Sequence, residues 1–347
     1  MRFRRRVAIV ILAMAVAASG LAACAQTPPT LAPTNTPIPT PTPTPVPPPS
    51  LLDTLDPAEM PGPDTQWSDG LSSLLAAVPQ NYSPVIFMDV AALKENPELQ
   101  RVLKLPVLGL LDTLPADSTS ALESLAVALD ENNEGVILVL RGPLDIEGLL
   151  QLAGGFGVTS TASEPQSYRE HRVSSIDLFG VTLAIGSADK STTVMTSGAP
   201  GGATPALDHL KAALDGFDGL IPRLLDDANV SRLVNNLAPG IAAAIFRDCA
   251  DLGALGKVAG PGGCTGAAVS AEVLDEELVA LNLVVAFQTE SQAAAAFQAL
   301  NQGDFRLGEL EPKKSAARQE ATLLRLRLIV ELKDIAVGFD GLGGLQR

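Results

Sequence analysis

The chain has 347 residues, enough for one large domain or two ordinary ones, and 46% of them are hydrophobic. It carries 24 basic and 39 acidic side chains, so its formal net charge at pH 7 is −15. Nucleic acid and anionic lipid surfaces are bound by clustered Lys and Arg, and this balance argues against both. With one Trp and two Tyr, the chain is also poor in the aromatic faces that sugar and choline sites use.

The first 23 residues have the form of an export signal. Four arginines within the first six residues precede an apolar run over residues 7–18, which is too short for a stable membrane span. The stretch Leu21-Ala22-Ala23-Cys24 then resembles the lipobox of bacterial lipoprotein precursors. This resemblance implies that residues 1–23 are removed and that the thiol of Cys24 receives a diacylglyceryl group. The alternative is an ordinary signal peptide or an anchor helix with a chance cysteine.

Residues 24–68 are predicted to form a disordered tether that starts at the lipidated cysteine. Residues 27–50 are mostly Pro and Thr, a composition that favours extended polyproline II. At about 3.1 Å per residue this tract would span roughly 70 Å. We therefore expect a protein held at the cell membrane through the lipid on Cys24, with its folded part extracytoplasmic and lifted off by a stiff spacer. A proline-rich docking ligand and a glycosylated stalk are the alternatives for this tract.

A first α+β lobe is predicted over residues 69–216. It begins with a helix capped by Asp69, followed by a buried strand over residues 85–90. Further helices are predicted over residues 97–114 and 145–152, and over 120–129, where Ser120 and Glu123 have capping-box spacing. A last helix starts at residue 204. Strands are predicted over residues 136–140, 168–176, 181–185 and 192–196.

A second α+β lobe is predicted over residues 217–337. It contains a strand over residues 241–248, a hairpin that turns at residues 275–277, and the helix "ESQAAAAFQALNQ". A final strand over residues 323–332 alternates Arg325 and Arg327 with leucines, which predicts one wet face and one buried face. The Gly-rich residues 338–347 are expected to be a flexible tail.

The expected architecture is therefore α+β, with two lobes of mainly antiparallel sheet and helices on one face of each. "LVVAFQTESQAAAAFQAL" in the second half parallels "VILVLRGPLDIEGLLQLA" in the first, since both place a strand, a short polar link and a helix in that order. This similarity suggests a degenerate internal duplication. A chance similarity of two ordinary α+β segments is the alternative.

Two cysteines besides Cys24 lie fifteen positions apart, at either end of a glycine-rich stretch. In an exported chain the pair Cys249 and Cys264 predicts a structural disulfide. A redox-active pair would favour Cys-x-x-Cys spacing, and a zinc site would need two further ligands.

The sequence contains no recognisable catalytic set. His209 is predicted on the outer face of its helix, 200° around from Leu207, and His171 on a wet hairpin face between two charged residues. There is no G-x-S-x-G elbow and no H-E-x-x-H helix, and the glycine clusters lack the spacing of nucleotide loops. We therefore expect a chain that is not an enzyme and has neither a cofactor nor a metal site. An envelope hydrolase that uses carboxylates alone remains open.

Acidic side chains near the lobe boundary are the weak candidates for a ligand or cation site: Asp215, Asp218, Asp226 and Asp227. The first functional hypothesis is a non-enzymatic lipoprotein that acts as a binding or interaction module on an envelope protein partner. The alternative is a solute-binding or lipid-carrying lipoprotein with a small-molecule ligand in a cleft between the lobes.

Overall fold

An antiparallel sheet forms the centre of the protein. The computed structural model describes residues 55–96, 121–132, 134–143, 166–178, 181–198, 205–249, 263–301 and 312–332. The strands in this part of the chain are β1 (Tyr82–Asp89), β2 (Ser124–Asp130), β3 (Gly135–Arg141), β4 (Gln166–Tyr168), β5 (His171–Leu178), β6 (Val181–Ser187), β7 (Thr192–Gly198), β8 (Ala242–Phe246), β9 (Cys264–Val273), β10 (Leu278–Phe287), β11 (Lys314–Glu320) and β12 (Leu323–Glu331). The helices are α1 (Thr65–Leu75), α2 (Val90–Lys94), α3 (Ala206–Phe217), α4 (Ala228–Asn236) and α5 (Glu290–Asn301).

The strands lie in the order β11-β12-β10-β9-β8-β1-β2-β3-β7-β6-β5-β4, and every neighbouring pair is antiparallel. The expected antiparallel character is therefore confirmed. The sheet is continuous rather than divided into two, because β1 pairs with β8 through partners such as Val85 with Ile245. Both strands are apolar, and pairing them removes two edges that separate sheets would have left open.

Helices cover both faces of the sheet, so the expectation of helices on one face is wrong. In β10, Val284 and Ala286 belong to a core that includes α1, α3 and α4, whereas Val285 and Phe287 pack with α5. Successive side chains of a strand point to opposite faces, which places α5 on the side away from the other three helices. The reason is that central strands such as β10 are apolar along both faces, and both must be covered.

The folded part begins earlier than residue 69. The backbone N–H of Leu55 donates to the carbonyl of Ser315 in the edge strand β11 at 3.2 Å, and its side chain is buried against β10, β11 and β12. The first helix starts at Thr65, because the carboxylate of Asp64 accepts the backbone N–H of Trp67 at 2.8 Å and caps it. The predicted cap, Asp69, lies inside that helix.

Residues 124–130 form a strand and not the predicted helix. Their leucines and alanines fit a helical stripe, but the segment lies between β1 and β3 and is buried on both faces. A strand buried on both faces shows no alternation of polar and apolar residues, so periodicity cannot distinguish it from a helix. The polar edge strand β11 was not predicted at all.

The last strand has no wet face at Arg327. This side chain is only 8% exposed, and its Nη1 donates to Asn282 at 2.7 Å and Glu272 at 2.9 Å across the sheet. Arg325 also turns inward and donates to the carbonyl of Asn236 at the end of α4. The predicted alternation is present, but the polar side is buried through pairing. The helices predicted over residues 97–114 and 145–152, residues 1–54 including Cys24, and the tail over 338–347 lie outside the described residues.

Candidate functional site

His209 is buried in the core, and the prediction of a solvated surface histidine is wrong. Only 6% of the residue is exposed. Its helix buries Ala206, Leu210, Ala213 and Leu214, and His209 lies three residues after the first of these and four before the third. Helical positions three and four apart share a face. The prediction failed because it took Leu207, which is only partly buried, as the centre of the inner face.

Both ring nitrogens of His209 are occupied inside the protein. Nδ1 lies 2.5 Å from the Tyr82 hydroxyl of β1, and Nε2 lies 3.2 Å from the carbonyl oxygen of Glu134. Neutral histidine satisfies both contacts when the Tyr82 hydroxyl donates to Nδ1 and Nε2–H donates to the carbonyl. Burial raises the pKa of Tyr82, and the charge of Asp130 raises it further, so the hydroxyl stays a donor. The Tyr82–His209 hydrogen bond therefore has a structural role: it joins β1 to α3 in the core.

Replacing Tyr82 by Phe should lower the free energy of unfolding by about 1–3 kcal/mol, because it leaves the buried Nδ1 of His209 without a donor. Tyr168→Phe is the matched control, since the hydroxyl of Tyr168 donates to Asp215 in a partly exposed setting. This variant should lower the free energy of unfolding by less than Tyr82→Phe does. Denaturant titration of the full-length protein measures both values. Equal losses for the two variants would contradict the buried pairing.

Two of the four predicted acidic residues, Asp215 and Asp218, hold the β4–β5 hairpin onto the end of α3. Asp215 accepts the Tyr168 hydroxyl and the Arg169 Nε, each at 2.9 Å, and Asp218 accepts His171 Nε2 at 2.9 Å. The other nitrogen of His171 lies 3.0 Å from the carbonyl oxygen of Ser187. His171 is therefore buried against α3, and the prediction that it lies on a wet face is wrong.

The other two acidic residues, Asp226 and Asp227, lie at the start of α4. Asp226 binds the guanidinium of Arg223 at 3.0 Å and its backbone N–H at 2.8 Å. Asp227 caps the helix through the N–H of Asn229 at 2.9 Å and lies 3.6 Å from Arg247. All four acidic side chains thus have partners in the protein. Within the described ranges, no three His, Cys, Asp or Glu side chains are grouped to hold a metal ion.

A small surface pocket lies where the end of α1, the end of β3, the β6–β7 turn and the end of α3 meet. Its volume is about 260 Å³. Its polar lining residues include Arg141, Asp189 and Thr192. Its apolar lining residues include Leu74 and Phe217. No sequence pattern marked this pocket, because its residues come from four segments that are far apart in the chain.

The polar lining residues include one cation and one anion. The guanidinium of Arg141 donates to the hydroxyl of Ser73, and its Nε lies 3.8 Å from a carboxylate oxygen of Glu123. Oδ1 of Asp189 accepts the backbone N–H groups of Ser191 and Thr192, each at 2.7 Å. Partial burial raises the pKa of Asp189, but these hydrogen bonds outweigh it and hold the pKa below its usual value. Asp189 is therefore a fixed negative charge at neutral pH.

The predicted disulfide between Cys249 and Cys264 is present, with the two Cα atoms 5.8 Å apart. It ties the end of β8 to the start of β9 and packs in the core beneath α5. Of the helices in the described ranges, none has both the length and the apolar character needed to cross a bilayer.

Comparisons with known proteins give no family. No protein-family model and no curated protein matches the chain. Three crystal forms of TP0453 have a similar structure. Form I covers 78% of this chain and 97% of that one at 8% identity and a TM-score of 0.46. Form III covers 77% of this chain and 97% of that one at 8% identity and a TM-score of 0.49. Form IV covers 76% of this chain and 94% of that one at 7% identity and a TM-score of 0.48. Similarity at this level supports no inference about function.

Proposed function

We propose that this protein is a membrane-anchored extracytoplasmic lipoprotein that acts as a binding module and not as an enzyme. In this proposal residues 1–23 are the signal peptide, Cys24 carries the lipid, and the Pro/Thr-rich segment is the spacer. The folded part is then held off the membrane and acts through contact with another envelope component. The lipobox and the composition of the spacer support a lipid-anchored, extracytoplasmic location. The packing of the folded part supports action through surface contact.

One observation favours action through the surface: both halves of the chain share one sheet, and one buried cluster contains residues of both. Phe87 of β1 and Ile245 of β8 belong to the same buried cluster as Leu71 of α1, Leu210 of α3 and Leu233 of α4. Ligand clefts between lobes need a seam at which the lobes part. The described residues have no such seam between β1 and β8, where backbone hydrogen bonds join the halves. This counts against the alternative of a solute- or lipid-binding cleft at the junction and favours action through the surface.

We also infer that the two halves derive from one duplicated unit. Outward from the central pair, the first half has the order β1-β2-β3-β7-β6-β5-β4, and the second half has β8-β9-β10-β12-β11. The first five strands of the two halves correspond, and β5 and β4 are extra strands of the first half. In each half, the central strand is followed in the sheet by the next two strands of the chain. A later hairpin then follows, and its second strand lies nearer the centre than its first. This correspondence supports the similarity seen between the segments that start at β3 and β10. A duplicated unit would explain why the edges of the two halves fit each other at β1 and β8.

Lipid attachment is tested at Cys24. Cells that express the full-length protein are fed an alkyne fatty acid, and the purified chain is examined for label. The wild type should be labelled and Cys24→Ala should lose essentially all label, because the thiol is the expected acceptor. Cys249→Ala is the matched control and should keep it. Label that persists in Cys24→Ala would contradict the lipobox assignment.

The binding role is tested by photocrosslinking in intact cells. A photoreactive amino acid is placed separately at Lys190, Leu220 and Glu276, three exposed positions in different loops. A contact surface should give the same neighbour in repeated experiments from one of these positions and not from the others. The absence of any reproducible neighbour from all three would overturn the proposal.

A further inference from the structure

We propose that the pocket beside Arg141 binds the terminal residue of a peptide through its α-carboxylate, its neighbouring N–H and a small apolar side chain. This inference rests on the proposed binding role and gives it a ligand chemistry. It is carried by one cation, one anion and several apolar residues that line the same small pocket.

The carboxylate is assigned from the donors of Arg141. A guanidinium has five N–H donors in a planar fork that matches a carboxylate in a two-point contact. Among the described residues, this one gives one hydrogen bond, to the hydroxyl of Ser73. Glu123 lies at 3.8 Å, beyond hydrogen-bond distance. The side chain is 38% exposed, so its remaining donors are accessible from the pocket that it lines.

The neighbouring N–H is assigned from Asp189. Its Oδ1 is held by the backbone of Ser191 and Thr192 and by the Ser191 hydroxyl at 3.1 Å. The Thr192 side chain also hydrogen-bonds to this carboxylate and helps to lower its pKa. A carboxylate offers about four lone-pair sites, so Asp189, which is exposed, can still accept a donor from a ligand. A ligand with a second negative charge would be repelled there, whereas an amide N–H or an ammonium beside the carboxylate would be favoured. The pocket therefore suits an amino acid unit better than a simple dianion.

The small volume of the pocket, about 260 Å³, favours a small ligand group, since pockets for drug-sized ligands have roughly 300–1,000 Å³. One terminal residue with its carboxylate and a branched aliphatic side chain is a group of this kind. Leu74, Ala76 and Phe217 supply the apolar contact for that side chain.

The chemistry is tested with three small probes and the full-length protein in detergent. Saturation-transfer NMR should show binding of N-acetyl-leucine, with a Kd of about 1 mM given its size. N-acetyl-leucinamide, which lacks the carboxylate, should show at least tenfold weaker binding. Free leucine distinguishes the source of the ligand: binding tighter than that of N-acetyl-leucine indicates a free amino acid in place of a peptide end. Equal binding of acid and amide, or no binding of either acid, would overturn the inference.

Substitutions test the role of the guanidinium. Arg141→Gln should weaken binding of N-acetyl-leucine about 10- to 100-fold, because a charge-assisted two-point contact is lost. Arg318→Gln on β11 is the matched control, since this exposed arginine pairs with Glu320 far along the sheet and should leave binding unchanged. Glu123→Gln should tighten binding up to about fivefold, because it removes the competing carboxylate. A Glu123→Gln variant that binds more weakly than the wild type would contradict the assignment.

Failure of this inference can be told apart from failure of the binding role. The photoreactive residue at Lys190 lies beside the pocket, between Asp189 and Ser191. A neighbour captured in the wild type and lost in Arg141→Gln supports both proposals. A neighbour that is still captured in Arg141→Gln supports the binding role but overturns the carboxylate site.

Discussion

Replacing Gly135 by Ala is expected to lower the free energy of unfolding by about 2–4 kcal/mol. A Cβ at this position, at the start of β3, would lie 2.4 Å from Nε2 of His209 and 2.6 Å from two ring carbons. These separations are far inside van der Waals contact. The imidazole cannot move away freely, because Tyr82 and the Glu134 carbonyl hold both of its nitrogens. The variant must therefore break buried hydrogen bonds or shift α3 from the sheet.

Denaturant titration of the full-length protein measures this loss, and Gly70→Ala is the matched control. Gly70 lies inside α1, and a Cβ there would meet no atom within 4 Å. That variant should gain about 0.5–1 kcal/mol, since alanine is the better helix former. A Gly135→Ala protein as stable as Gly70→Ala would contradict the buried position of His209.

A second substitution separates the clash from any intrinsic effect of alanine in the strand. In the His209→Ala background the imidazole ring is absent. Gly135→Ala should therefore lower the free energy of unfolding much less there than in the wild type. The two changes are then strongly non-additive, as expected for residues in direct contact. Additive losses would show that the clash is not the cause.

The hairpins of the sheet could be predicted from sequence because short strands with turn residues between them leave few other pairings. The strands β5, β6 and β7 and the pair β9–β10 were all predicted within a few residues. β2 was not, because burial on both faces removes the alternation that identifies strands. The pairing of β1 with β8 could not be predicted either, since the two strands are more than 150 residues apart and local pattern says nothing about their contact.

The candidate site was much harder to predict than the hairpins. Arg141 follows the apolar strand "VILVL" and looks like an ordinary charged strand end. Its meeting with Asp189 and Phe217 depends on the strand order and on the packing of α3, which no single segment determines. The acidic residues were the visible signal, yet Asp215 and Asp218 serve the hairpin and Asp226 and Asp227 the start of α4. The hydrogen-bond partners of a carboxylate often come from distant parts of the chain, so the neighbouring sequence does not predict them.

The disulfide between Cys249 and Cys264 was predictable because it depends on count, spacing and compartment, and not on packing. Its removal should lower the free energy of unfolding by about 3 kcal/mol, the chain-entropy value for a loop of about 15 residues. Cys249 is also buried against the core beneath α5, so the reduced protein loses order at the ends of β8 and β9. Thermal unfolding of the full-length protein with and without reductant measures the change.

The double variant Cys249→Ala/Cys264→Ala is the control for the reductant itself. It should unfold at the same lowered temperature whether or not reductant is present, because Cys24 is then the only remaining cysteine. Cys24→Ala should keep the full response to reductant, since it leaves the bridge in place. If the wild type shows no response, the bridge adds nothing to the stability that the sheet already has. If the double variant responds as strongly as the wild type, reductant acts elsewhere and the stabilising role of this disulfide is refuted.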